Sequence, residues 1–258
     1  MTIKKSKKTN EAEAIRAELR ALSDPAKAVG LRRFFKTGPG EYGEGDRFHG
    51  VVVPKIRRVV KGHRNDALGA VLKLLHSAYH EERLTALLIL VEQYRRGDSA
   101  RKQEIYELYL ASTSYINNWD LVDLTAPRIV GAHLTGKDTS VLTRLALSQN
   151  LWERRIAMLS TSHFIYHGDS REALRIAELL LHDSHDLIHK AVGWMLREVG
   201  KRCSAETERR FLDKHAATMP RTMLRYAIEH FPEKMRQHYL RRSKNSGVKK
   251  QEPEYSES

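Results

Sequence analysis

From Pro54 onward, apolar residues recur at intervals of three and four, the period of a helix that buries one face. The spacing predicts helices over 54–63, 66–77, 81–95, 99–112, 119–133, 138–147, 150–164, 171–181, 186–200, 204–216, 220–231 and 233–240. They are separated by breaks at Gly97-Asp98, Thr135-Gly136, Gly168-Asp169-Ser170, Asp183-Ser184 and Met219-Pro220. Upstream, Ala14, Ile15, Leu19 and Leu22 mark an amphipathic helix over 10–22. Ser23-Asp24-Pro25 then caps a second helix that runs through Phe35. Residues 37–50 hold five glycines and a proline, which forbids a helix and predicts a tight loop or a short β-hairpin within 38–50. Gly43 and Gly45 echo a phosphate-binding loop, but no Gly-Lys-Ser/Thr follows and no strand precedes. Residues 1–9 and 243–258 are polar and aperiodic and read as disordered ends, leaving 10–242 as a single all-α domain.

The second half of the chain repeats. Arg155-Ile156-Ala157-Met158, Lys190-Ala191-Val192-Gly193 and Arg225-Tyr226-Ala227-Ile228 begin 35 residues apart, each a basic residue leading an apolar run in mid-helix. Helix pairs at this period are the mark of HEAT-like solenoids. Asp120 lies a further 35 residues before Arg155. If the repeats stack, the register places Trp119, Asp123, Arg155, Lys190 and Trp194 on neighbouring second helices, which line a concave side.

Charge narrows the partner. A net charge of +13 points to an acidic ligand, nucleic acid before anionic membrane. No stretch approaches the roughly 18 apolar residues of a membrane span. The N-terminus lacks the apolar core of a signal peptide, and the single Cys203 excludes an internal disulfide. A cytoplasmic, monomeric protein is expected. Lys55, Arg57, Arg58, Lys61 and Arg64 crowd one helix start next to the glycine-rich segment, as a phosphate-binding patch would.

Within this basic chain, Trp119 and Asp123 are four residues apart and share one helix face. An electron-rich ring beside a carboxylate receives positive charge, although a core indole with a solvated acid would show the same spacing. Trp152 reads as core and Cys203 as structural. His163 with His167, and His185 with His189, have metal-compatible spacing, yet no glutamate or cysteine joins them, so neither a metal nor any other cofactor is expected.

Three segments together resemble the AlkD-type DNA alkylation repair glycosylases, within the wider AlkC/AlkD group of HEAT-like repeat proteins. They are Asn118-Trp119-Asp120-Leu121-Val122-Asp123, Leu151-Trp152-Glu153-Arg154-Arg155-Ile156-Ala157 and Lys190-Ala191-Val192-Gly193-Trp194-Met195-Leu196-Arg197-Glu198. A weaker fourth is Phe48-His49-Gly50-Val51-Val52-Val53-Pro54 followed by Arg57, and the set spans residues 24 to 232. The resemblance implies an all-helical solenoid holding double-stranded DNA in a basic cleft and excising N3- and N7-alkylated purines without flipping the lesion into a pocket. It also implies Trp119, Asp123 and Trp194 as catalytic residues and Arg155 as a DNA contact. Lys190 and the cations at 55, 57, 58 and 61 would add phosphate contacts. Val52 and Val53 depart from the polar residues of the best-known members. The insert from Gly38 to Gly50 resembles a sub-branch in which a short hairpin projects toward DNA, and some of whose members bind branched DNA without clear excision.

The chemistry agrees with the residues. A purine alkylated at N3 or N7 carries a positive charge and leaves as a neutral base, so no general acid is needed. The sugar left behind is oxocarbenium-like, and a fixed carboxylate can stabilise it and position water. No lysine nucleophile is required. A monofunctional DNA-alkylpurine glycosylase is therefore the leading expectation. The competing one is a non-catalytic HEAT-like protein that binds branched or distorted DNA.

Overall fold

The computed structural model describes residues 3–245, with side-chain surroundings over 11–242. The chain divides into two compact units, Met1–Lys137 and Asp138–Ser258. The fold is all-α, with fourteen α-helices and no sheet among the described residues.

The first unit contains α1 (Ile3–Ala21), α2 (Pro25–Phe34), α3 (Val53–His63), α4 (Leu68–Leu75), α5 (His80–Arg96), α6 (Ser99–Ala111) and α7 (Trp119–Ala126). α5 is its centre and packs on α3, α4, α6 and α7. The caps sit where polar signals placed them: Asp24 accepts the Lys27 N–H ahead of Pro25, and Asp98 accepts the Arg101 N–H. α1 begins at Ile3, seven residues before the start read from periodicity. The segment expected to be a disordered tail falls mostly at 246–258, outside the described residues.

One local expectation is corrected and another is narrowed. The helix read as 119–133 leaves α-geometry at Pro127 and passes through a π-turn, Pro127–Gly131. Proline has no N–H for the carbonyl four residues back, so the ladder must widen or break there. Of the two alternatives for residues 38–50, the structure has the tight loop and not the hairpin: successive turns are closed by the N–H groups of Glu41, Glu44 and Asp46 on the carbonyls of Gly38, Glu41 and Gly43. Gly40 and Gly45 take φ of +74° and +85°, which coil the segment and leave no extended run to pair. Its one β-type contact is the isolated bridge of Arg47 to Tyr79.

The second unit contains α8 (Ser140–Ala146), α9 (Leu151–Tyr166), α10 (Arg171–Leu179), α11 (Asp186–Arg202), α12 (Ala205–His215), α13 (Arg221–Ala227) and α14 (Glu233–Asn245). The three segments that recur at 35 residues fall on α9, α11 and α13, with α9 packed on α11 and α11 on α13. Trp152 is buried in this unit's core, as read. Gly193 explains the small residue in the Lys190–Trp194 segment. A Cβ there would strike the Met223 carbonyl and the Tyr226 side chain, so only glycine permits the α11–α13 approach.

Candidate active site

Trp119 opens α7, and Asp123 follows one turn later on the same face; both are half-buried. The indole is held from two sides. Its Nε1–H donates to the Tyr42 hydroxyl at 3.3 Å, and its ring lies 5.3 Å from Phe35 and 5.7 Å from Phe34. Tyr42 belongs to the glycine-rich segment, so the turns of that segment place a side chain against the indole. The charge of Asp123 is felt below it. Tyr109 is fully buried, and burial pushes its hydroxyl pKa up, with a further contribution from Asp123.

Beside this pair lies a buried ionic network built on the first turn of α5. His80 Nε2 is 2.9 Å from Asp120 Oδ2, and Nδ1 is 3.4 Å from Asp46 Oδ2. The rings of Phe35 and Phe48 are centred 4.8 and 4.9 Å from the imidazole. Burial disfavours a charged imidazole, but the two carboxylates outweigh it and raise the pKa to about 9. Asp46 also accepts Arg83 Nη2 at 2.7 Å; against the opposing effect of burial, His80 and Arg83 hold its carboxyl below the usual range. Asp46 on the glycine-rich segment and Asp120 on α7 thus meet on one buried cation.

The next two residues of α5 organise Phe48–Pro54. Glu81 accepts the backbone N–H groups of His49, Gly50 and Val51 at 2.9, 2.8 and 3.1 Å. Glu82 accepts His49 Nε2 at 3.1 Å and Arg16 Nε at 3.0 Å. Although burial opposes it, bonding to His49, Ser77 and Arg16 depresses the Glu82 pKa to about 2. Gly50, at φ +83°, passes so close to the Asp24 carbonyl that a Cβ would collide with it. The segment sets the start of α3, which buries Ile56, Val59 and Val60 and turns Arg57, Arg58 and Lys61 to solvent, with Lys55 half-buried. None of these four cations forms an ion pair with a described residue.

In the second unit, Lys190 and Trp194 lie one turn apart on α11, both half-buried, and Lys190 Nζ reaches Asp186 at 2.8 Å. Arg155, on the neighbouring α9, is 5% exposed, and its Nη1 donates to the Leu187 carbonyl at 2.6 Å, fastening α9 to the first turn of α11. The structure therefore groups the nine sequence candidates as Trp119 with Asp123, Lys55 with Arg57, Arg58 and Lys61, and Lys190 with Trp194 beside Arg155.

Sequence reasoning passed over His80-Glu81-Glu82-Arg83, each no more than 3% exposed. A signal was present. Four consecutive ionisable residues at 100° steps cover every side of a helix, so whichever face turns inward buries a charge. Tyr42 and Asp46 were also missed, because nothing local marks which side chain of a turn segment folds inward.

The DNA alkylation repair enzyme family matches residues 15–231, and the chain belongs to that family. Among solved structures it resembles one titled "Predicted DNA alkylation repair enzyme from Enterococcus faecalis", with a TM-score of 0.63 and 14% identity over 82% of this chain and 97% of that one. At that identity the likeness speaks for the fold. No curated protein matches the chain. The family places the protein in DNA alkylation repair with DNA as its partner. No described helix is long and apolar enough to cross a membrane.

Proposed function

We propose that this protein is a monofunctional DNA glycosylase that hydrolyses the N-glycosidic bond of cationic N3- and N7-alkylated purines in duplex DNA, the first step of base excision. The observation that carries the reading is the Trp119–Asp123 pair: an indole held in place by Tyr42, one helical turn from a carboxylate, in a family devoted to DNA alkylation repair. The bond from C1′ to the purine N9 breaks with its electron pair going to the base, which leaves neutral. The oxocarbenium-like sugar is stabilised by the Asp123 charge and by indole π-density. Water then adds to C1′, oriented by the same carboxylate, and releases its proton to Asp123 or solvent.

The resemblance adds Trp194 as a second indole. Lys55, Arg57, Arg58, Lys61 and Lys190 are assigned to backbone phosphates. Arg155 is assigned the DNA contact that the resemblance implies, together with the positioning of α11. The second reading, a binder of branched DNA without hydrolysis, draws support from the packing of Trp119 on Phe34 and Phe35, which also suits a purely structural indole. Single-turnover release of 7-methylguanine from methylated duplex, with a uracil-containing duplex as the neutral-lesion control, separates the two. Release of the first and not the second is expected; release of neither overturns the glycosylase reading.

A further inference from the structure

At the far end of α5 from His80, three arginines from three elements face one cavity of about 240 Å³. Arg64 closes α3, Arg96 lies in the last turn of α5, and Arg101 lies in the first turn of α6; Asn65 and Gln93 complete the wall. The seventeen residues of α5, at about 1.5 Å each, separate this cavity from His80 by roughly 25 Å. It is distinct from the Trp119 site.

Helix electrostatics account for part of the cluster. Arg64 and Arg96 sit at helix C-termini, where cations are ordinarily stabilising, but Arg101 stands at an N-terminus, the end that disfavours positive charge. Arg101 is nonetheless held firmly. Its Nη2 donates to Gln93 Oε1 at 2.8 Å and its Nη1 to Glu104 at 2.9 Å. Gln93 is itself buried and fixed by the Asp66 carbonyl at 2.8 Å. A Cβ on Gly97 would lie 2.9 Å from the Arg101 stem, so the glycine lets that stem pack into the α5–α6 corner.

The acids nearby are already engaged. Glu92 pairs with Arg95 and Arg96 and also feels the charge of Arg64, Asp66 pairs with His63, and Asp98 caps α6. Arg64 is exposed and forms no ion pair with a described residue. A preorganised guanidinium, a second one without an ion pair and a third beside them form a receptor for a tetrahedral oxyanion.

We propose that this cavity is a phosphate site, with Arg64 and Arg101 reaching the non-bridging oxygens and Arg96 adding charge, and that its ligand is a backbone phosphodiester of the bound duplex. The inference rests on the duplex-binding part of the proposed function and not on excision. The test measures the affinity of the full-length protein for an undamaged duplex across a KCl series, and titrates inorganic phosphate calorimetrically without DNA. Arg64→Gln should reduce the slope of log affinity against log salt by about 1, and Arg64→Gln/Arg101→Gln by about 1–2.

The single variant decides the matter if the double variant fails to fold, because Arg64 is exposed and forms no ion pair with a described residue. An unchanged slope in Arg64→Gln, with no phosphate binding sensitive to that substitution, overturns the site. An unchanged slope with phosphate binding lost keeps the site and makes free phosphate its ligand. Arg57→Ala/Arg58→Ala is the control. If that pair lowers the slope and Arg64→Gln changes neither measurement, duplex binding stands and the cavity proposal falls. If neither variant lowers the slope, duplex binding falls and the phosphate titration alone judges the cavity.

Discussion

His80 Nε2 lies 2.9 Å from Asp120 Oδ2, joining the first turn of α5 to the first turn of the helix that opens on Trp119. The same imidazole faces Asp46, and Tyr42 four residues earlier holds the Trp119 indole. The glycine-rich segment is therefore attached to α7 twice, once through a buried charge and once through the indole N–H. Burying a charge costs several kcal/mol unless partners compensate it; here two carboxylates do so, and removing any of the three should be felt at Trp119.

The catalytic assignment predicts a graded series. Asp123→Asn keeps shape and hydrogen-bonding capacity but removes the charge, so single-turnover release of 7-methylguanine should fall on the order of 10²–10³-fold, while duplex affinity holds or rises slightly. Trp119→Ala and Trp194→Ala should cost less, since each indole contributes about 0.5–2 kcal/mol through its π face. Equal release by wild type and Asp123→Asn would remove Asp123 from the mechanism.

His80 makes stability depend on alkaline pH. Its folded pKa of about 9 stands above the ordinary value of 6.5. The folded state therefore binds the extra proton, and the stabilisation is fully present below pH 6.5 and lost as pH rises through 9. The difference is worth on the order of 3 kcal/mol. Urea midpoints across pH 6 to 10 should decline in wild type, and His80→Gln should be less stable at pH 6 with a flatter profile. Parallel profiles would show that His80 does not titrate with folding.

Glu208 predicts a gain. Buried in the second unit with Oε2 3.3 Å from His230 Nε2, its carboxyl is pushed by burial to about 8, above the ordinary 4.5. A raised pKa means that its contribution is full below pH 4.5 and lost as pH rises through 8, where the carboxylate must ionise in a buried place. Glu208→Gln carries no such charge and should raise the melting temperature at pH 9 more than at pH 5. An equal change at both pH values would rule out the buried ionisation.

Gly193→Ala tests the α11–α13 contact. The added methyl meets the Met223 backbone, which cannot swing aside as a side-chain tip would. A loss of about 1–3 kcal/mol is expected, the usual cost of overpacking, measured by urea unfolding. A variant as stable as wild type would mean that the two helices separate at no cost.

How much of this was readable in advance follows from the range of the forces involved. The helices were legible because their causes are local: apolar residues every three or four positions, with Asp24 as a cap and Gly97-Asp98 as a break. The Trp119–Asp123 pair was legible for the same reason, since four-residue spacing on one helix needs no knowledge of the rest of the fold. Pro127 was a local signal not read, and the helix changes geometry there.

The glycine-rich segment was read as helix-free, with a tight loop and a short hairpin both left open, because glycine permits many backbones and only its neighbours choose one; they chose the loop. Tertiary structure alone decided which charges go inside. His80 meets Asp46 and Asp120 across 34 and 40 positions of sequence, Tyr42 meets Trp119 across 77, and Arg155 finds the Leu187 carbonyl across 32. Burial of an ionised group is tolerable only where distant partners converge on it, and spacing along the chain carries no record of that convergence.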